Sequence, residues 1–218
     1  MTPVDSSVPP PPAPVRGKLR PWYLVAAMVL TWFIGVHGLN VGFGVASLLR
    51  GGSLPDATSA ALHTSTVEDV WSYGFLQQAR SLTAHPRTAF PLAVAQVLLS
   101  GLLVVASGLA MGGRRGARSL ALQALGANAL LVVASFALTP FQRAAFVEGC
   151  LQAVESVGVT PADRSWIFSP FALQWIARVR LVFFDLSVLG LGALALTRPR
   201  TKTFFEAVSR ATEGPEEP

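Results

Sequence analysis

Four long apolar segments dominate this 218-residue sequence and constrain its fold more than any other feature. They run from about 22 to 49, 89 to 111, 120 to 138 and 181 to 197. A helix needs about 20 apolar residues to cross the hydrocarbon core of a bilayer. Hydrophobic residues make up 51% of the chain and charged residues only 13%, too few to cover a soluble surface. The sequence therefore predicts an all-α membrane protein, with a four-transmembrane-helix bundle over residues 21–197.

Polar segments precede and follow these four stretches. Residues 1–20 include the run Pro9–Pro12, so this proline-rich leader is expected to be disordered. Residues 198–218 form a C-terminal tail. The first apolar stretch has a competing interpretation as a secretory signal peptide cut near Ala46. Because it exceeds the apolar length of about 7–15 residues that such peptides have, we interpret residues 22–49 as a membrane span.

Arginine and lysine residues cluster at one end of the predicted spans. The leader, the short loop between spans two and three, and the tail carry most of them, whereas the other two loops mix both signs of charge. Short loops rich in arginine and lysine stay on the cytoplasmic side of a membrane. Both termini are therefore predicted to be cytoplasmic. The cytoplasmic residues expected to contact a partner are Arg114, Arg115, Arg118, Arg198, Arg200 and Lys202.

The formal net charge of +5 has two interpretations. A basic chain can bind nucleic acid, but arginines at the ends of membrane spans account for the charge more simply. No direct nucleic-acid partner is expected, and the lipid bilayer is the first predicted partner. Only Lys18 and Lys202 are lysines, a composition typical of a GC-rich bacterial genome. The predicted location is therefore the bacterial inner (cell) membrane, as a multi-pass protein.

The two long loops on the outer side contain amphipathic patterns. Apolar residues recur at helical spacing over residues 67–82 and again over residues 147–157. Ser169 followed by Pro170 predicts the start of a further helix that leads into the fourth span. We expect the outer helices to lie on lipid or to cover the end of the bundle. The aromatic residues expected at the membrane surfaces are Trp22 and Tyr23 on the inner side and Trp166 and Trp175 on the outer side.

Polar side chains inside the predicted spans mark the candidate site. With a rise of about 1.5 Å per residue, four of them fall at a similar depth, in the outer half of the bilayer. Ionisable groups at membrane depth are costly, so they face the protein interior and often mark function. The predicted intramembrane polar cluster consists of His37, Asn40, Gln96 and Asp185.

Asp185 needs a partner inside the membrane, and His37 is the best candidate by depth. A pair that responds to protons or to a ligand is the sharper hypothesis. A structural hydrogen bond that joins spans one and four is the alternative. Spacings of small residues that allow close helix packing occur twice, as Gly38 with Gly42 and as Gly108 with Gly112.

No group of residues in the sequence has the pattern of an active site. The stretch Gly190–Ala195 matches a dinucleotide fingerprint formally, but it lies inside a predicted span rather than after a strand. A catalytic pair of Cys150 with His63 or His85 has no further support, and no metal-type spacing of cysteines and histidines occurs. A single histidine within the spans cannot provide two haem ligands. We therefore predict a protein without catalytic residues, cofactor or metal site.

The absence of an active-site pattern leaves two classes of function. The sequence favours a non-catalytic regulatory protein that binds and sequesters a cytoplasmic partner through its basic segments. The alternative is an accessory or transport subunit of a membrane complex, in which the polar cluster lines a route or a subunit contact.

In its size, its hydrophobic composition and its short terminal segments, residues 1–20 and 198–218, the chain resembles the membrane-bound anti-sigma factors of light-induced carotenoid synthesis in myxobacteria. The resemblance covers gross architecture, and no functional residue is carried over from it. It implies that the protein holds an alternative sigma factor at the inner membrane in the dark and releases it on illumination. That role would belong to transcription regulation and carotenoid biosynthesis.

Overall fold

A computed structural model describes residues 20–52, 67–156, 168–179 and 184–213, and the secondary structure within these ranges is helical throughout. The helices, numbered in chain order, are α1 (Trp22–Leu49), α2 (Val67–Ala84), α3 (Pro86–Gly112), α4 (Ala117–Leu138), α5 (Pro140–Ser156), α6 (Pro170–Val179), α7 (Ser187–Thr197) and α8 (Pro199–Glu213).

Three of these helices, α1, α3 and α4, are long and apolar enough to cross a membrane. A fourth apolar helical segment, Phe184–Thr197, is shorter; it consists of a π-helical turn followed by α7. The predicted fourth span began at residue 181, which lies outside the described residues. The helices thus indicate a helical membrane protein, and the fourth crossing remains a prediction. The predicted disorder of the leader also falls outside the described residues, except for Arg20.

The four apolar helices pack in a closed arrangement that we call the bundle. Helix α1 packs along α3 and α7, and α4 packs along the same two helices from the other side. Large apolar side chains on the outward faces remain exposed, which a soluble protein would avoid and a lipid surface would cover. The most exposed of them in the bundle include Phe33, Phe43, Leu98, Leu130 and Leu194.

Glycine residues bring α1 and α3 into close contact. Gly35, Gly38 and Gly42 are buried on the face of α1 that meets α3, and a methyl group at any of them would collide with α3. This agrees with the predicted packing role of Gly38 and Gly42. The second predicted pair behaves differently, because Gly108 is exposed and faces open space.

One end of the bundle gathers the arginine-rich segments, and we call it the basic end. It is formed by Arg20, by the turn at residues 113–118 and by α8. The Tyr23 hydroxyl lies 3.2 Å from Thr201 Oγ1, and the Arg118 Nε–H group donates to the Leu196 carbonyl at 3.0 Å. Helix α8 in the tail was not anticipated from the sequence. Its Thr201 and Phe205 are buried, so the helix packs under the bundle rather than extending away from it.

Helices α2, α5 and α6 form a second layer at the opposite end. Helices α2 and α5 pack closely because Gly74 and Gly149 face each other, and Cys150 is buried between them. Ser169 caps α6, since its Oγ accepts a hydrogen bond from the Ala172 N–H group at 3.2 Å. The predicted outer helices and the predicted cap are therefore present. Helix α2 contacts the bundle through α1 and α3. It therefore covers the end of the bundle, which is one of the two predicted locations for the outer helices.

Candidate functional site

A cavity of about 350 Å³ lies between the bundle and the layer of α2, α5 and α6. Three members of the predicted polar cluster line it, namely His37 from α1, Gln96 from α3 and Asp185 from the π-helical turn before α7. The fourth, Asn40, is exposed and does not line the cavity, because it projects from another face of α1. A volume of this size lies within the range of small-molecule sites.

The polar floor of the cavity contains two side chains that the cluster did not include. Ser100 is buried, and its Oγ accepts a hydrogen bond from Gln96 Nε2 at 3.0 Å. Asn128 is also buried and donates from Nδ2 to the Leu99 carbonyl of α3 and the Ala124 carbonyl of α4, both at 2.9 Å. Since both acceptors are carbonyls, the amide orientation is determined, and the Asn128 Oδ1 atom is left as a hydrogen-bond acceptor.

Gly38 makes room for this floor. A methyl group at Gly38 would collide with Ser100 Oγ and with Gln96 Nε2, so the hydrogen-bonded pair fits only against a glycine. The close packing of α1 on α3 thus has a consequence beyond stability. It places the polar atoms of α3 and His37 of α1 on the wall of the same cavity.

Aromatic side chains from the second layer cover the cavity. Trp71 of α2 stacks on Phe146 of α5 with ring centroids 5.9 Å apart, and Phe75 lies 5.2 Å from the same ring. Beside them, Gln78 Nε2 donates to Gln142 Oε1 at 3.4 Å. The cavity therefore has an aromatic roof and a floor that carries hydrogen-bonding groups.

Arg143 forms part of the cavity wall at the start of α5. Its Nη1–H group donates to the Phe136 carbonyl, and its guanidinium lies 3.8 Å from the centroid of the Phe136 ring. Burial, and next the charge of Arg178, lower the pKa of Arg143. An arginine remains protonated after such a shift, so a full positive charge stands at the edge of the cavity.

Asp185 occupies a π-helical turn that covers residues 184–186. Such turns are rare and occur often at functional sites. Asp185 is half-buried and shares the cavity wall with His37. The hypothesis that these two residues form a responsive pair stays a prediction.

The cavity does not continue toward the basic end within the part of the chain that the structure describes. Immediately below it, Thr31, Leu125 and Gly192 pack so closely that a methyl group on Gly192 would lie 2.9 Å from Thr31 Oγ1. Farther down, all four bundle helices contribute to one apolar core. Its largest fully buried side chains are Leu24, Met28, Leu103 and Leu196.

The structure places the predicted cytoplasmic contact residues together at the basic end. Two of them have internal roles, because Arg118 caps the last turn of α7 and Arg198 lies 5.0 Å from the centroid of the Tyr23 ring. The members with exposed side chains are Arg114, Arg115, Arg198, Arg200 and Lys202.

The surroundings of Cys150 suppress the reactivity of its thiol. It is completely buried between α2 and α5, and its Sγ lies 3.8 Å from the Val70 carbonyl. Burial raises the pKa of Cys150 to about 11, which suppresses the nucleophilic thiolate. His85 stacks on Phe141, and His63 lies outside the described residues. Within the described ranges, no three His, Cys, Asp or Glu side chains are grouped so that they could hold a metal ion.

The contribution of the second layer to the site was not predicted from the sequence. Trp71, Phe75 and Gln78 belong to the predicted amphipathic helix over residues 67–82, whereas Gln142 and Phe146 precede the predicted stretch 147–157. The available signal was that aromatic residues stand close to glutamines and arginines on both helices, as Phe75 does to Gln78 on α2 and Phe141 to Gln142 on α5. Asn128 had a clearer signal, since a polar amide inside an apolar span needs partners.

Comparisons with known proteins found no match for this chain. No protein-family profile matches the chain, and no curated protein or solved structure shows significant similarity to it. The class of protein therefore follows from fold and site alone. It is a helical membrane protein with a polar cavity at one end of its bundle and a basic surface at the other.

Proposed function

We propose that this chain is a non-catalytic, four-span membrane protein that binds a small molecule in the cavity on the outer side of the bundle. The observation that carries the proposal is the cavity itself. It combines hydrogen-bonding groups from three bundle helices with an aromatic cover from two outer helices. Small-molecule sites have this composition, with a mostly apolar lining and a few placed polar groups.

The lining favours an amphiphilic ligand. Trp71, Phe75 and Phe146 offer flat apolar surface to a ring or a short hydrocarbon chain. At the floor, Asn128 Oδ1 offers an acceptor, and the Ser100 hydroxyl, whose oxygen already accepts from Gln96, retains its proton for donation. A molecule with a polar head toward the floor and an apolar body toward the roof satisfies both halves.

The closed floor supports binding over transport. A transport route would need polar or open space from the cavity to the basic end, whereas the described core below Thr31 is apolar and fully packed. Transport would therefore require the bundle to rearrange. A receptor or accessory subunit needs only the cavity.

Accessibility of the cavity to water is the first test. Val132 lines the cavity, whereas its neighbour Val133 is 51% exposed on the outward face of α4. In a Cys150→Ala background, Val132→Cys is expected to react with a small charged thiol reagent at least about tenfold faster than Val133→Cys, because only a hydrated thiol ionises. The measurement is the rate of mass increase of the protein in membranes.

The same cysteine then serves to find the ligand. Fractions of a cell extract that slow the labelling of Val132→Cys without affecting a cysteine at the basic end contain the candidate molecule. Val132→Cys and Val133→Cys lie on one helix at one depth, so they form a matched pair. Equal labelling of both positions, or no labelling of either, would contradict a water-accessible ligand cavity.

The basic end supports a second function, the sequestration of a cytoplasmic partner. Exposed positive side chains from the 113–118 turn and from α8 lie at one end of the bundle, and Arg198 and Arg200 follow α7 directly. We infer that this surface holds an acidic soluble protein at the membrane. The resemblance to membrane-bound anti-sigma factors makes an alternative sigma factor the specific candidate, released by light or another stress.

Co-purification tests this second function. The protein with Arg114→Gln, Arg200→Gln and Lys202→Gln is expected to retain at least tenfold less partner than the unchanged protein, because the three lost charges are exposed and do not support the fold. Arg87→Gln is the control, since Arg87 is exposed at the opposite end. A sigma factor in the eluate would support the specific proposal. Equal retention by both variants would exclude the basic end as the contact surface.

A further inference from the structure

A groove of about 430 Å³ lies in the second layer, between α5 and α6. Arg143 of α5 and Arg178 of α6 both line it, together with Gln174. The groove is separate from the cavity, although Arg143 borders both of them. It is therefore a second concave surface, and its dominant feature is a pair of like charges.

Arg143 and Arg178, from different helices, place two positive charges in one groove. Like charges close together repel, and the charge of Arg178 indeed lowers the pKa of Arg143. Within the ranges that the structure describes, neither arginine forms an ion pair. Glu148 lines the same groove but is bonded to neither of them. An anion between the two arginines would remove the repulsion and supply the missing counter-charge.

The position of the groove indicates which anion it takes. Arg143 lies one helical turn beyond Thr139, the residue that follows the span α4, so we expect it at the level where lipid headgroups begin. On α6, Phe171 and Trp175 are 72% and 50% exposed and precede Arg178 on the same face. Aromatic residues beside a basic residue are typical of a helix that lies in a membrane surface.

We propose that Arg143 and Arg178 form a phosphate-binding site, and that its ligand is the phosphodiester headgroup of an anionic phospholipid. The two guanidinium groups contact the phosphate oxygens, and the Gln174 amide reaches a neighbouring headgroup oxygen. The exposed face of α6 contacts the acyl chains. Binding at this site holds α5 against α6 and so secures the wall that Arg143 contributes to the cavity.

The test uses full-length protein in nanodiscs that contain phosphatidylglycerol in excess phosphatidylcholine. Native mass spectrometry then counts the phospholipids retained. The protein is expected to retain phosphatidylglycerol preferentially, and Arg178→Gln is expected to weaken this retention about tenfold, as for the loss of one charge-assisted hydrogen bond. Arg178 is exposed, so its substitution leaves the fold intact. Arg87→Gln, at an exposed arginine on the same side, is the matched control.

A second arm distinguishes a lipid from a free phosphate. In detergent without phospholipid, millimolar inorganic phosphate is added and the thermal unfolding midpoint is measured. A midpoint that rises in the unchanged protein but not in Arg178→Gln would support the site with soluble phosphate as its ligand. Glu148→Gln is expected to retain the anion at least as tightly, since a repelling charge is removed. Absence of both responses, weaker retention in Glu148→Gln, or an equal loss in Arg87→Gln would overturn the proposal.

Discussion

Replacing Gly42 with leucine is expected to lower the free energy of unfolding by about 1–3 kcal/mol, the usual cost of overpacking a well-packed interface. A Cβ atom at this position would lie 2.8 Å from Val97 Cγ2, 3.1 Å from the Val97 nitrogen and 3.2 Å from the Ala93 carbonyl oxygen. Two of these three atoms belong to the backbone of α3, so a side-chain rotation cannot relieve the contact. The two helices must separate, and the packing between them is lost along their length.

Gly44 provides the control, because it lies on the same helix and nothing approaches within 4 Å of a Cβ atom placed there. Gly44→Leu is expected to leave stability unchanged or to raise it by up to about 1 kcal/mol, since leucine is the better helix former. Reversible unfolding in mixed detergent measures both values. Similar stabilities of the two variants would show that the contact of α1 with α3 does not hold the bundle together.

Replacing Gly74 with leucine is expected to increase the reactivity of Cys150 toward thiol reagents on the order of a hundredfold. A Cβ atom at Gly74 would collide with Cys150 Sγ and lie 3.1 Å from the Phe146 ring. Helix α2 must therefore move away from α5, which admits water to the thiol. Burial raises the pKa of Cys150 from 9.0 to about 11, and a return to the ordinary value increases the thiolate fraction at pH 8 by about two powers of ten.

The natural sequence makes this measurement simple, because Cys150 is its only cysteine. The labelling rate at pH 8 is compared with that of Ser72→Leu, an exposed position on the same helix. In the unchanged protein the rate should rise about tenfold per pH unit, because the thiolate is the reacting form until pH reaches the raised pKa. Fast labelling of the unchanged protein would contradict the close packing of α2 on α5.

Separation of α2 from α5 should also open the cavity, since Trp71 and Phe75 of α2 form its roof together with Phe146 of α5. We therefore expect Gly74→Leu to weaken retention of the ligand while the bundle itself stays folded. The bundle core and the core of the second layer are two separate apolar clusters, so loss of packing in one need not unfold the other.

The amino-acid sequence by itself determined the apolar helices, because hydropathy and length act within a single segment. The first helix matches the predicted bounds of 22 and 49, whereas α3 and α4 begin three residues earlier than hydropathy suggested. Their true starts are set by local backbone chemistry: Pro86 opens α3, and Gly116, with a φ of 73°, precedes α4. Amphipathic spacing likewise predicted α2 and the second part of α5, which begins seven residues before the predicted stretch 147–157, and Ser169 predicted the start of α6.

Only the tertiary structure decided which polar residues meet. Depth alone placed His37, Asn40, Gln96 and Asp185 together, but rotation about the helix axis turns Asn40 away from the cavity. The rotation of each helix about its own axis and the pairing of the outer helices depend on contacts between segments distant in the chain. The contact of Gly74 with Gly149 is an example. Hydropathy records how far a residue lies along the membrane normal. It carries no information on direction within the membrane plane, so the aromatic roof and the Arg143–Arg178 groove could not be read from the sequence.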